Sequence, residues 1–139
     1  MRVRVVGAVS YPGQARGDGE TNEPMATGGN RWWGARSDFP WERDALEFIR
    51  RRMRDEEPFR AWSAFTFTAQ TGHVREVDLF IVTPAGLFLV EIKSHPGRVF
   101  NSGGSWMFED QGRVRTIDNP LHLADRKAKE LKGRLEWAV

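Results

Sequence analysis

The sequence predicts an α/β domain in which helices flank a central sheet built as an antiparallel meander. Three observations support this fold class: helical spacing of apolar residues in 41–53, three strand-like runs in 61–93, and helical spacing again from 119 onward. A chain of 139 residues is long enough to bury one hydrophobic core, so we expect a single domain.

The first helix is predicted over residues 41–53, WERDALEFIRRRM. Leu46, Ile49 and Met53 fall on one face, and Pro40 suits the first turn of a helix. Glu42 precedes Leu46 by one turn and shares that face, so the helix should hold a carboxylate beside the core.

Three strands are predicted over residues 61–70, about 73–82 and 87–93, joined by a Thr-Gly turn and by TPAG. The third run is apolar at both sets of alternating positions. Leu87 and Leu89 form one set, and Phe88, Val90 and Ile92 form the other. This pattern is typical of a strand that is covered on both faces.

The remainder of the chain predicts a hairpin and a closing helix. RVF, SWMFE and RVRTI are short strand candidates, and the last two are joined through DQG. Asn119 suits the N-cap of the closing helix and Pro120 its first position. The apolar stripe of this helix consists of Ala124, Ala128, Leu131 and Leu135.

Residues 1–36 are predicted to be a flexible leader and residues 37–139 the functional domain, because 11–31 are rich in Gly, Pro and polar residues. Met25 is an alternative start, and the chain stops at the closing helix, as a piece of a longer protein would. Trp32, Trp33 and Trp41 either stack on nucleic-acid bases or anchor the leader on the core.

Composition excludes several classes of protein. With 21 basic and 19 acidic residues, any affinity for phosphate must come from a local patch. The absence of cysteine excludes disulfides, thiolate metal sites and cysteine nucleophiles. The apolar runs end well before the ~20 residues that span a membrane, so we expect no membrane partner and a cytoplasmic location.

Charged residues lie in the strands where apolar residues are expected. Asp78 lies within the second strand, and Glu91 and Lys93 close the third. If residues 84 and 85 form a two-residue turn, counting outward puts Asp78 directly opposite Glu91. A three-residue loop with a glycine bulge would instead pair Asp78 with Ile92.

Two carboxylates facing each other repel, and a divalent cation between them reverses the sign of that interaction. We therefore predict a site for Mg²⁺ or Mn²⁺, which prefer oxygen ligands, held by Asp78, Glu91 and the carbonyl of Ile92. Such a cation activates water and stabilises charge on a phosphate. Lys93 would orient or deprotonate the water or neutralise charge. Glu42 would approach the same cluster.

A plainer interpretation exists for each of these residues. Glu91 and Lys93 would be a strand-end ion pair, and the helix dipole favours Glu42 in a first turn. The basic run of the closing helix is by default its solvated face, although it also offers phosphate contacts. The candidate nucleic-acid-binding residues on this helix are His122, Arg126, Lys127 and Lys129.

The motif of Asp78 followed, after twelve residues, by Glu91-Ile92-Lys93 resembles the D…ExK core of the restriction-endonuclease-like nucleases. More narrowly, the chain from about residue 41 to 135 resembles the NERD (nuclease-related) domain, with Glu42 as its early glutamate. The segment REVDLFIVTPAGLFLVEIKSHPG is most similar to NERD modules at the front of phage-defence protein kinases of the BREX type.

This resemblance implies a restriction-endonuclease-like core with a central mixed sheet, hydrolysis of phosphodiesters in nucleic acid, DNA as partner, and a fused or associated kinase. Family members often carry a glutamine early in the closing helix, where this chain has His122 and Leu123. Either His122 substitutes for it or this branch has changed the site. The rival hypothesis is a non-catalytic module that binds nucleic acid or a partner protein and keeps the acidic cluster as a relic.

Overall fold

The structure, a computed structural model, describes residues 31–93 and 97–138 and the backbone of residues 3–6. The elements run along the chain as β1 (Val3–Val6), β2 (Trp32–Gly34), α1 (Pro40–Arg52), β3 (Arg60–Thr68), β4 (Val74–Thr83), β5 (Gly86–Val90), β6 (Arg98–Ser102), β7 (Ser105–Asp110), β8 (Arg113–Asp118) and α2 (Pro120–Ala138). The predicted fold class and order of elements are confirmed. Both predicted helices begin within one residue of the expected position.

The central sheet is mixed and has five strands in the order β1-β5-β4-β3-β2. β3, β4 and β5 form the predicted antiparallel meander, whereas β1 runs parallel to β5 and β2 parallel to β3. β1 and β2 were not predicted, and both lie within the range 1–36 assigned to a leader. Most of that range, including Met25, lies outside the described residues.

The β4–β5 hairpin has the two-residue turn. Thr83 pairs with Gly86, and the register continues inward to Leu79 opposite Val90. The Thr83 hydroxyl accepts a hydrogen bond of 3.1 Å from the backbone N–H of Ala85, which closes the turn. The register that places Asp78 and Glu91 at the same level is therefore confirmed, and the three-residue loop is wrong.

Each face of the central sheet is covered by one helix, so two clusters of buried side chains form. Cluster one packs beneath α2 and contains Val77, Phe80, Leu89, Ala124, Ala128 and Leu131. Cluster two packs beneath α1 and contains Leu46, Ala61, Leu79, Val90 and Ile92. The two predicted faces of β5 are confirmed. Leu135 was expected to extend the apolar stripe of α2, but it is 39% exposed because it lies beyond this core.

β6, β7 and β8 correspond to the three strand candidates RVF, SWMFE and RVRTI. They form a separate antiparallel sheet, in which β7 and β8 are the predicted hairpin. Gly97 leads into it with φ +85, and a Cβ there would lie 2.0 Å from the backbone oxygen of Glu109. Only glycine fits this crossing. α2 then begins at the predicted N-cap, where the Asn119 side chain accepts a hydrogen bond of 3.0 Å from the N–H of Leu121. Within the described residues, no helix is long and apolar enough to cross a membrane.

Candidate active site

The candidate site lies where the β4–β5 ladder ends. Leu79 and Val90 form its last pair, so Asp78 and Glu91 occupy the next level. The Asp78 carboxylate accepts a hydrogen bond of 2.7 Å from the backbone N–H of Ile92. This bond takes the amide away from the ladder, which explains why β5 ends at Val90 and not at residue 93 as predicted.

The backbone opposite Asp78 is distorted. Ala64 has φ 47, and it lies between the pairs Ser63–Leu79 and Phe65–Val77, which puts it across from Asp78. Val77 belongs to the cluster beneath α2 and Leu79 to the cluster beneath α1, although residues two apart in a regular strand share a face. The regular alternation of β4 side chains between the two faces of the sheet is therefore interrupted at Asp78. Such distortions are frequent beside functional sites.

Glu91 is buried, and its partner is a lysine from the closing helix. The Nζ of Lys127 lies 2.5 Å from Oε1 of Glu91, and the two residues are 7% and 6% exposed. Burial raises the pKa of Glu91, and the negative charge of Asp78 raises it further, while the hydrogen bond from Lys127 opposes both effects. Asp78 and Lys127 therefore both act on the Glu91 carboxyl group, in opposite directions.

Lys127 was predicted to lie on the solvated face of α2, and this prediction is wrong because Lys127 is buried. Ala124, Lys127, Ala128 and Leu131 are the buried residues of this helix. Their separations of three, one and three residues are those of a single helical face. That spacing was the available signal, because a lysine within it must either reach solvent or find a buried carboxylate.

Glu42 approaches the same site from the first turn of α1. Its pKa is raised by partial burial and by the charges of Asp78 and Glu91, and it is lowered by a hydrogen bond from Ser37 and by Lys93. Four predicted site residues, Glu42, Asp78, Glu91 and Lys93, are therefore close enough to influence one another. Ile92 is buried beneath α1, with its amide bound to Asp78.

The other predicted contacts do not join this cluster. His122, Arg126 and Lys129 are exposed on α2, and Lys129 pairs with Asp125 of the same helix at 2.6 Å. They lie on the solvated face.

Two of the three tryptophans anchor the chain on the sheet, as one of the two interpretations expected. The indole N–H of Trp32 donates a 3.0 Å hydrogen bond to the Ser63 hydroxyl, and Trp33 stacks on Trp62, so both anchor β2 to the sheet. Trp41 instead remains 51% exposed, although it stacks on Phe39.

The carboxylate oxygens at the site suit a hard divalent cation that retains several water ligands. Among the described residues, no three His, Asp or Glu side chains stand close enough together to hold a metal ion. Asp78 and Glu91 each have one oxygen in a hydrogen bond to protein and a second oxygen for another partner. Mg²⁺ is commonly held by one or two carboxylates with several waters, so these two residues fit it.

A mixed sheet whose central hairpin gathers two carboxylates and a lysine at one end is compatible with a restriction-endonuclease-like fold. The sequence profile of NERD, the Nuclease-related domain, matches residues 37–139, and the chain belongs to this family.

One curated relative is "Probable kinase PglW" of Streptomyces coelicolor, which is 56% identical over 100 residues. The match covers 71% of this chain but 6% of that protein, so the chain spans a small part of its relative's length. No solved structure matches the chain significantly.

Proposed function

We propose that this chain is a metal-dependent nuclease module that hydrolyses phosphodiester bonds of nucleic acid, with DNA as substrate and Mg²⁺ or Mn²⁺ as cofactor. The observation that carries the proposal is the convergence of Asp78 and Glu91 at one level of the β4–β5 hairpin. Membership of the nuclease-related family supports it.

Asp78 and Glu91 would hold the cation through their second oxygens, and the carbonyl of Ile92 would be the third protein ligand. The bound cation would supply activation of water and stabilisation of charge on the phosphate. The Ile92 amide fixes the orientation of Asp78, so this ligand is held before the cation arrives.

Lys93 would orient the attacking water or neutralise the charge that develops on the phosphate. It stands within electrostatic range of Glu42 and Glu91, because its charge lowers the pKa of both carboxyl groups. Glu42 would act as an auxiliary ligand or as the partner of Lys93. The exposed His122, Arg126 and Lys129 would contact phosphates along α2.

We also propose that the module works within a larger protein that contains a kinase, in bacterial phage defence. The similarity to a kinase of much greater length supports the first part of this proposal. The resemblance of residues 75–97 to phage-defence modules supports the second.

A second candidate function is a non-catalytic binding module. The observation that favours it is the ion pair between Lys127 and Glu91, because the site already neutralises one of its carboxylates without a metal. A relic site would keep this pair for stability alone, and it would not need to hold Mg²⁺ or Mn²⁺.

Cleavage of supercoiled and single-stranded DNA tests the proposal, with Mn²⁺, Mg²⁺ or EDTA present. We expect metal-dependent cutting that Glu91→Ala abolishes. The matched control is Glu76→Ala, which removes an exposed carboxylate from the same hairpin. Cutting that survives Glu91→Ala would show that the site is wrongly placed. The absence of both cutting and bound metal in folded protein would favour the binding module.

A further inference from the structure

Lys127 is the least expected member of the site. A lysine is almost never fully buried unless it is paired, since desolvation of an unpaired ammonium is unfavourable. Lys127 is 7% exposed, and its Nζ contacts the Glu91 carboxylate. Burial of this ammonium is therefore tied to the charge of Glu91.

The partner of Lys127 is also the residue proposed to bind the cation. Lys127 extends from α2, whereas Asp78 belongs to β4 and accepts its hydrogen bond from the Ile92 amide. Oε1 of Glu91 is already in contact with a positive charge. A divalent cation on the same carboxylate would be repelled by the ammonium, and burial strengthens that repulsion.

We propose that Lys127 is an internal counter-ion of the metal-free site, which neutralises Glu91, holds its carboxylate in position and is displaced from Oε1 when a divalent cation binds. The inference rests on the proposed metal site. Lys127 is thus a positioning residue that competes with the cation. Its charge lowers the metal affinity of the site and keeps the hairpin intact when no metal is present.

A supporting role and a competing role of Lys127 predict different changes in metal affinity when its charge is removed. If Lys127 only supported the fold, its removal would leave metal affinity unchanged or weaken it. If Lys127 competes, loss of its charge must strengthen metal binding, because the cation no longer displaces an ammonium and is not repelled by it. Coupling between two bound groups typically changes affinity by about 5- to 150-fold, so we expect a gain of at least about fivefold.

The experiment is a calorimetric titration of Mn²⁺ into the full chain and into Lys127→Met. The control is Lys132→Met, which makes the same change on α2 at a lysine paired with Glu136. We expect at least about fivefold tighter binding by Lys127→Met and no change in the control. Thermal unfolding with and without Mn²⁺ gives a second readout, and the stabilisation by metal should be larger in Lys127→Met.

The outcomes separate this inference from the proposed function. Equal or weaker binding by folded Lys127→Met would overturn the counter-ion role and leave the metal site standing. If neither the unaltered chain nor Lys127→Met binds Mn²⁺, both the counter-ion role and the proposed metal site are overturned. Should Lys127→Met fail to fold, NMR of the lysine Nζ groups in the unaltered chain decides. A Lys127 signal that does not shift at saturating Mg²⁺ would overturn the displacement.

Discussion

Glu42 is partly buried beside two other carboxylates, so its side chain is harder to ionise than a carboxyl group in water. This makes the stability of the protein depend on pH. The pKa of Glu42 is raised above the ordinary value of 4.5 by partial burial and by Asp78. The folded protein therefore binds more protons at Glu42 than the unfolded chain does in the pH range just above 4.5. The contribution of Glu42 to the free energy of unfolding must fall as the pH rises through that range.

We predict that Glu42→Gln, which cannot ionise, removes this fall. In EDTA, the variant should gain stability relative to the unaltered chain as the pH rises from 4 to 8. The gain should stay below about 1 kcal/mol because Glu42 is only partly buried. Urea unfolding at several pH values measures it, with Asp44→Asn as the control on an exposed position of α1. A difference that does not vary with pH would contradict the prediction.

At the scale of residues, the sequence predicted the carboxylates but not their partner. Asp78, Glu91 and Lys93 stood out because charges are rare in strands that are apolar on both faces. Lys127 did not stand out, because basic residues are ordinary on an amphipathic helix. What distinguishes it is burial, and this depends on how α2 lies on the sheet. The helix pattern indicates that placement only when the lysine is counted as part of the buried face.

At the scale of elements, β3 has to bend beside the site. Ala64 takes a left-handed conformation inside a strand, and a β-branched residue adopts that conformation only with strain. Strand propensity alone would favour valine at this position. Local geometry opposes that preference, and the cost of a strained conformation, about 1–3 kcal/mol, exceeds a propensity difference of at most about 1 kcal/mol.

We therefore predict that Ala64→Val destabilises the protein by about 1–3 kcal/mol, whereas Ala64→Gly does not, since glycine adopts positive φ readily. Chemical denaturation of the three proteins measures the difference. Thr66→Val is the control, because it places valine at an exposed position of the same strand that does not have a positive φ. A stabilising effect of Ala64→Val would contradict the prediction.

The elements were largely predictable wherever the signal was local. The turn residues fixed the register of the β4–β5 hairpin, and Asn119 with Pro120 marked the start of α2. The end of β5 was not predictable from periodicity, because a side chain of another strand captures the Ile92 amide. That hydrogen bond joins two different strands, so no pattern within residues 87–93 indicates it.

At the scale of the whole molecule, the first described residues complete the sheet. β1 pairs with the outer side of β5, and α2 lies against it. β1 and β2 were not predictable from local patterns, because both are short and both pair in parallel with strands distant in the chain. Parallel pairs leave no turn signal between the partners, so only tertiary structure reveals them.

We predict that a chain starting at Met25 is less stable and aggregates more readily, because the edge of β5 loses its partner and exposes unpaired N–H and C=O groups. Denaturant unfolding and light scattering measure the two effects. Deletion of residues 1–2 alone serves as the control, since it leaves β1 intact. Equal unfolding midpoints for the two deletions would show that β1 contributes no stability.

The parallel pairing of β1 also sets an order of events during synthesis on the ribosome. Val3 emerges before its partner Leu87, which follows more than eighty residues later. At the usual ~5–20 residues per second, the first strand waits about 4 to 16 seconds for a partner. β3 and β4 can already pair during that interval, whereas β1 remains available to chaperones or to other nascent chains. The outer strand of the sheet should therefore be the last part of it to form, although it is the first to be made.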